Sequence, residues 1–473
     1  MSNLGAHVWW EDQAELARSL EQRGLGAAAA EQKAALLARA AGALAKQGGG
    51  PPEAVSALFV PGRIEVLGKH TDYAGGSSML AAAERGFCLA VRRRGDAEIR
   101  IADLVLGESV RFGLDPELTP RTGHWSNYPM TVARRIARNF PGARRGVEVA
   151  LASDLAPAAG MSSSSAFVVA MFLALAEAND LPGDPLYEQA LTRPVDLAGY
   201  LGTIENGQSF GPLAGDRGVG TFGGSEDHTA LLLARPGRVV QYAYCPVRFE
   251  RELPLPPGTT FAIAACGVVA EKTGAAREKY NRASRLIATI VDLWQQETGR
   301  DDESLAAALA AEPGAAERLM DLLRSAHTDE FDPAALTARL EHFLTENREV
   351  IPAAGDALAR GDLAEFGRLV DRSQQAAERL LGNQIPETAY LAASARRLGA
   401  VAASAFGAGF GGGVWALVEA ERGDGFLADW QADYARAFPQ HAPAAKFFPT
   451  GAGPAAFRLD PTGATCPPGA REG

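Results

Sequence analysis

Cysteine is scarce in this sequence: Cys88, Cys245, Cys266 and Cys466 are the four, with no Cys-x-x-Cys pair among them. That usage excludes a zinc ribbon, offers no disulfide framework and suits a reducing compartment. Positive charge is in deficit, with 46 Lys and Arg against 57 Asp and Glu and a net charge of −11. General nucleic-acid binding wants a basic face and is set aside, although a nucleotide can still be held by local donors and a metal ion. Long hydrophobic runs are missing too, because charges or glycines break the Ala/Leu/Val stretches before bilayer-spanning length. The opening MSNLGAHVWWEDQAELARSL has no basic stretch followed by an apolar one, as a secretory signal requires. These absences predict a soluble, cytoplasmic protein without nucleic-acid or membrane partners; a monomer or weak homo-oligomer is the expectation, although nothing in the composition sets the oligomeric state. With 473 residues, 47% of them hydrophobic, the chain is long enough for two domains.

The periodicity predicts one or two amphipathic helices over about residues 11–46 and a breaker at GGGPPE, 48–53. Strand patterns follow in ALFVPGRIEVLG, GFCLAVRRR and AEIRIADL, then a helix at SNYPMTVARRIARNF and a strand at GVEVALAS. A domain boundary is expected near residues 250–256, where Pro254, Pro256 and Pro257 cluster, which gives units 1–254 and 255–473. The second unit should open on the strand TTFAIAACGV, run through long helices to about Leu398 and return to strands at AVAASAFGAGFGGGVWALVEA. The final TGATCPPGAREG reads as a loose end.

Chemistry concentrates in loops. In PGRIEVLGKHTDYAGG, four polar side chains, Arg63, Lys69, His70 and Asp72, gather within ten residues where a strand breaks. In PAAGMSSSSAF, Gly160 and Met161 lead into Ser162, Ser163, Ser164 and Ser165 at the start of an apolar helix. Unpaired N–H groups and the positive end of the helix dipole suit phosphate there, and a serine oxygen can serve Mg²⁺. A plain serine N-cap is the bland reading; glycine followed by four serines favours the anion site. No Walker loop occurs, since the one Gly-Lys pair is followed by His70. Two G-x-G-x-x-G matches, at Gly218-Gly220-Gly223 and Gly407-Gly409-Gly412, lack the strand–turn–helix context of a dinucleotide site. GAGFGGG instead suits close backbone approach to another loop or a ligand. GGSEDHTALL reads as a helix start capped by Ser225, or as Asp227 offered to a cleft as base or orienter. Glu205 reads alone as a solvated position, or as a metal ligand beside the serines.

In order and spacing, GRIEVLGKHTDYAGG, GMSSSSA, GGSEDH and GAGFGGG resemble the sugar kinases of the GHMP superfamily, galactokinases in particular, from about Ala57 to Leu459. YNR at Tyr280 to Arg282 and FGRLVDRSQQ at Phe366 to Gln375 are similar to further stretches of that family. The resemblance implies an α+β, two-domain GHMP kinase fold, with a ribosomal S5-like N-terminal domain and a ferredoxin-like C-terminal one. It implies ATP and Mg²⁺, a small-molecule sugar substrate and transfer to the anomeric C1 hydroxyl of galactose or a close relative. Gly160 to Ser165 would wrap the triphosphate, and Ser164 with Glu205 would hold Mg²⁺. Asp227 and Arg63 would be the catalytic pair, and Lys69, His70, Asp72 and Tyr280 would surround the sugar.

The sequence departs from the family at several points. Lys69 stands where galactokinases carry Glu, which implies either a sugar altered at C6, such as a uronic acid, or a lysine that points to solvent or pairs with an acid such as Glu65 or Glu226. Glu65 replaces an Asn, Glu226 replaces an apolar residue, and Arg372 and Gln374 depart within FGRLVDRSQQ. The helical stretch between Tyr280 and Phe366 is longer than the family leads one to expect. A silent sugar sensor on the same fold is the reading from another class; retention of the serines, Glu205, Asp227 and Arg63 speaks for an enzyme.

Overall fold

The computed structural model describes residues 8–48, 54–156, 159–268, 274–459 and 465–466. Most of the breaker at 48–53 lies outside them, as does most of the expected loose end. The strands are β1 (Val55–Leu67), β2 (Ser77–Arg93), β3 (Glu98–Asp103), β4 (Glu108–Gly113), β5 (Val147–Ser153), β6 (Arg238–Ala243) and β7 (Arg248–Pro254), then β8 (Thr259–Ala265), β9 (Ala402–Phe406), β10 (Gly413–Glu419), β11 (Lys446–Thr450), β12 (Ala452–Gly453), β13 (Phe457–Leu459) and β14 (Thr465–Cys466). The helices of the first half are α1 (Gln13–Gln22), α2 (Ala27–Lys46), α3 (Asn127–Asn139), α4 (Ser163–Ala178), α5 (Pro185–Ala190), α6 (Pro194–Asn206) and α7 (Glu226–Leu233). Those of the second are α8 (Gly274–Thr298), α9 (Leu305–Ala310), α10 (Ala315–Arg324), α11 (Pro333–Leu344), α12 (Ile351–Arg360), α13 (Leu363–Ala376), α14 (Pro386–Arg397) and α15 (Gly423–Ala437).

β1 sets the layering. Its side chains alternate across the sheet: Ala57 and Phe59 pack under α1 and α2 with Leu20 and Leu37, while Leu58 and Val60 join the core beneath α3 and α4. The first sheet runs β14-β13-β1-β2-β5-β3-β4, with β12 and β6 also on β2 and β7 on β6. The second is four-stranded and antiparallel, β11-β8-β10-β9. Its alternation is equally clean. Ala262, Ala264, Val414, Ala416 and Val418 meet α14 and α15 through Leu391 and Trp430. Phe261, Ile263, Trp415 and Leu417 face a core shared with α12, α13 and the far end of β1, at Ile64 and Val66. That shared core locks the two halves together and places the end of β1 at their junction.

The expected boundary falls between β7 and β8, but the tail does not stay with the second half. β12 pairs with β2 and β13 with β1, in a register that sets Ala57 opposite Leu459, and Thr465-Cys466 adds a strand to β13. The thiols of Cys88, Cys245 and Cys266 are free. No helix among the described residues is long and apolar enough to cross a membrane.

Trp415 is fully buried, edge-on to Phe261 at 5.8 Å between ring centroids, and its indole N–H finds no acceptor. Trp415→Ala should lose about 3–5 kcal/mol in urea unfolding, whereas Trp415→Phe, which removes the unmatched donor, should lose much less. Equal losses would place the value of this residue outside apolar packing.

Candidate functional site

The site begins where β1 breaks. Gly68 has φ +110°, and a Cβ there would stand 2.5 Å from the Ser78 Cβ, so only glycine fits. The chain then takes His70 through the left-handed region, φ 57°, into a 3₁₀ turn at Asp72–Ala74. The Thr71 hydroxyl, 2.8 Å from both the Gly68 and Ser77 carbonyl oxygens, clips this turn shut. A non-glycine residue at positive φ is a stored constraint, and here it turns His70 and Asp72 into a cavity of about 430 Å³. That size suits a small-molecule site.

The serine loop forms the facing wall. Gly160 has φ 73°, Ser162 has φ 58°, and α4 starts at Ser163. The simple cap is not what forms: the Ser162 side chain makes no capping bond but joins the Asp227 Oδ2, to which Ser165 also donates at 3.3 Å. The first N–H groups of α4 are therefore left without a side-chain cap beside Ser163 and Ser164, both of which line the cavity. GAGFGGG runs into a strand, β10, and lies against this loop. A Cβ on Gly413 would fall 2.3 Å from the Ala159 carbonyl oxygen, and one on Gly407 would fall 3.1 Å from that of Gly160.

Arg63 joins the walls. Its Nε donates to Asp227 Oδ1 at 2.6 Å, one terminal nitrogen donates to the Gly160 carbonyl at 3.1 Å, and its backbone N–H reaches the Met161 carbonyl at 3.0 Å. Burial alone would lower its pKa, but Asp227, Glu65 and Glu226 hold it above the ordinary arginine value. Asp227 stands in the first turn of α7, where Ser225 makes no side-chain cap. Gly223 and Gly224 let the chain before α7 pass close to Tyr280 and Asp72: a Cβ on the first would come 2.5 Å from the Tyr280 hydroxyl, and on the second 2.5 Å from Asp72 Oδ2. Asp72 Oδ2 accepts the Glu226 N–H at 3.1 Å. The Tyr280 ring, on α8, lies 5.2 Å from that of His70.

Glu205, on α6, lines the same cavity and is buried, not solvated. His228, also buried, sets its Nε2 3.1 Å from Glu205 Oε1, a contact that sequence reasoning missed. Among the described residues no group of three or more His, Cys, Asp or Glu could hold a metal. Mg²⁺ keeps several waters and takes one or two carboxylates besides phosphate oxygens, so Ser164 and Glu205 fit it as a partial, hard-oxygen donor set.

Lys69 is the correction. The structure does not bring it into the cavity: it is fully buried on the other side of the turn, its ammonium donating to Ser404 at 2.8 Å and reaching Ser373 at 3.5 Å. Ser404 passes a hydrogen bond to Gln374 at 2.9 Å, and Ser373 donates to the buried Glu346. Positive φ at the next residue sends the two side chains of Lys69 and His70 apart, which strand-end periodicity does not foretell.

The cavity wall carries Glu65 and Glu226 instead. Burial, then Glu65 and Asp72, push the Glu226 carboxyl well above its ordinary 4.5. Burial also raises Glu65, against the fields of Arg63 and Lys69 and a hydrogen bond with Glu226. The folded protein thus keeps protons that the unfolded chain releases above about pH 4.5, so this cluster costs stability as pH rises through that value toward the folded pKa. Glu226→Gln should raise the melting temperature by a few degrees more at pH 8 than at pH 5 in calorimetry. Equal shifts at the two pH values would count against a proton held here.

Residues 127–208 match the GHMP kinases N terminal domain, 356–436 the GHMP kinases C terminal, and 46–93 the galactokinase galactose-binding signature. The galactokinase of Roseiflexus sp. is 29% identical over 375 residues, covering 78% of this chain and 85% of that protein. The galactokinase of Chloroflexus aggregans is 28% identical over 395 residues, covering 82% and 89%. The crystal structure of Lactococcus lactis galactokinase complexed with galactose superposes with a TM-score of 0.69 at 23% identity, covering 85% of this chain and 94% of that one. Sequence profile and relatives converge: the chain carries GHMP kinase N- and C-terminal domains with the galactokinase galactose-binding signature, and is a galactokinase-like sugar kinase.

Proposed function

We propose that the protein transfers the γ-phosphoryl group of ATP to the anomeric C1 hydroxyl of galactose or a closely related neutral hexose. The observation that carries this reading is the Arg63–Asp227 pair, set between the serine loop on one side and His70, Asp72 and Tyr280 on the other. Phosphate would sit on Gly160 to Ser165 and the start of α4, where a first helical turn without a side-chain cap and the helix dipole favour an anion. Phe87, Leu106, Trp125, Tyr128, Leu155 and Phe167 line the same cavity and offer an apolar slot for a purine. Mg²⁺ held by Ser164 and Glu205 would supply neutralisation of phosphate charge.

Phosphoryl transfer needs positioning and charge neutralisation more than covalent chemistry. Arg63 would neutralise charge on the transferred group. The Asp227 carboxylate, held by Arg63 and two serines, would accept the hydrogen bond of the C1 hydroxyl and orient it in line with the phosphate. Asp72, His70 and Tyr280 would hold the ring hydroxyls.

A neutral sugar is favoured because the reading for a uronic acid rested on Lys69 meeting the substrate, and Lys69 ends among serines. Of the lysines and arginines among the described residues, Arg63 alone lines the cavity, and it is already paired with Asp227, so a further carboxylate would meet no spare cation there. A silent sensor would not need the serines, Glu205, Asp227 and Arg63 to converge in one cavity. The test is ATP turnover with galactose, galacturonate and glucuronate, the phosphorylated carbon being assigned by NMR. Galactose should be preferred, with phosphate on C1; preference for an acidic sugar, or phosphate on another carbon, overturns the reading. Asp227→Asn should keep nucleotide binding and lose at least about a hundredfold in kcat; near wild-type turnover would remove Asp227 from the mechanism.

A further inference from the structure

The helical stretch between α8 and α13 does more than lengthen the chain: it reaches the underside of the sugar turn. α11 continues through a π-helical turn, Thr345–Val350, into α12. From this continuous rod three side chains meet residues 70–77. Arg339, 1% exposed, donates to the His70 carbonyl at 2.5 Å and lies 3.4 Å from the Tyr73 hydroxyl. Asn347, in the π turn, accepts the Ser77 N–H at 2.7 Å. Phe343 fills the space over Gly76, where a Cβ would come 2.8 Å from its ring. Ala74 is part of the same apolar cluster as Leu305, Leu340 and Phe343, so the turn is seated in the core of these helices.

Arg339 is an unusual component of such a seat. Its partners are all neutral: the His70 carbonyl, the Tyr73 hydroxyl and His342 Nδ1 at 3.0 Å, while its Nε meets no acceptor. Burying a guanidinium without a carboxylate is costly unless its hydrogen bonds are strong and well aimed. The bond to the His70 carbonyl is aimed at the residue held at positive φ. On the cavity side, His70 Nδ1 stands 2.9 Å from the Tyr73 hydroxyl, and its Nε2 stands 3.2 Å from the Ala408 carbonyl. Arg339 therefore touches both members of the His70–Tyr73 pair from behind and does not line the cavity itself.

We propose that Arg339 is a positioning residue for sugar recognition: from α11 it holds His70 and Tyr73 in the conformation that meets the substrate, and so sets affinity for the sugar but not for the nucleotide. This rests on the sugar-kinase reading above for the identity of the substrate and on the geometry alone for the bracing. Arg339→Gln should raise the sugar KM roughly tenfold, leave the ATP KM within about twofold and change kcat little. Arg339→Lys, which keeps a charged donor toward the His70 carbonyl, should recover part of the loss. Hydrogen exchange of residues 68–77 should quicken in Arg339→Gln, with 160–166 unchanged.

If Arg339→Gln does not fold, His342→Leu removes one acceptor of the guanidinium, and it should raise the sugar KM by a smaller factor with the same selectivity. A sugar KM within twofold of wild type, or equal rises in both KM values, overturns the proposal. If the wild-type protein turns over no sugar in the panel, the functional reading fails by itself. The exchange measurement then decides the bracing, and unchanged protection at 68–77 sinks it.

Discussion

The Arg63–Asp227 ion pair is the interaction on which the cleft depends. One guanidinium leaves β1, reaches the first turn of α7 and also takes the carbonyl of Gly160, so three separated segments meet at a single planar group. Arginine suits this, since its fork of donors stays charged and satisfies several acceptors at fixed angles. Asp227 is shared in turn with Ser162, whose left-handed backbone holds its hydroxyl away from the α4 N-terminus. The proposed anion site and the proposed catalytic pair are therefore one construction: the serine given to the aspartate is the serine withheld from capping.

What the sequence made legible was mostly backbone chemistry. Gly160 before four serines, the glycines of GAGFGGG and the break at Gly68 each announce a local conformation, and each conformation is present. The separate strands and helices were legible for the same reason, because periods of two and of 3.6 residues are local properties, while their layering came from the family resemblance. The direction of a side chain beyond a turn is not local. Lys69 was read as facing the substrate because it stands where galactokinases carry Glu, and the positive φ of His70 turns the two side chains apart. The answer was nonetheless scattered through the chain: Gln374, singled out as a departure from the family pattern, accepts from the same Ser404 hydroxyl that receives Lys69. Two departures more than three hundred positions apart in number are one adjustment in space.

Arg339, Glu346 and Asn347 carried no signal at all, being ordinary polar residues in a helical stretch. Their importance comes from the π turn that joins α11 to α12. A π turn widens the helix by one residue and re-aims the side chains around it, and here two adjacent ones take different tasks. Glu346 closes the network behind Lys69 through Ser373, while Asn347 takes the Ser77 N–H. The turn at residues 68–77 is thereby attached to the second half of the molecule on both its flanks.

The return of the tail to the first sheet has a consequence for how the protein comes into being on the ribosome. Val55–Leu67 is among the first strands to emerge, yet its antiparallel neighbour Phe457–Leu459 is among the last, and both carry residues of one apolar layer with α1 and α2. The edge of β1 stays open through most of synthesis, a condition in which strands invite wrong partners. The two N-terminal helices already cover one face of β1 while it waits. Residues 11–46 can thus be understood as a built-in escort for a strand that must wait some four hundred residues for its partner.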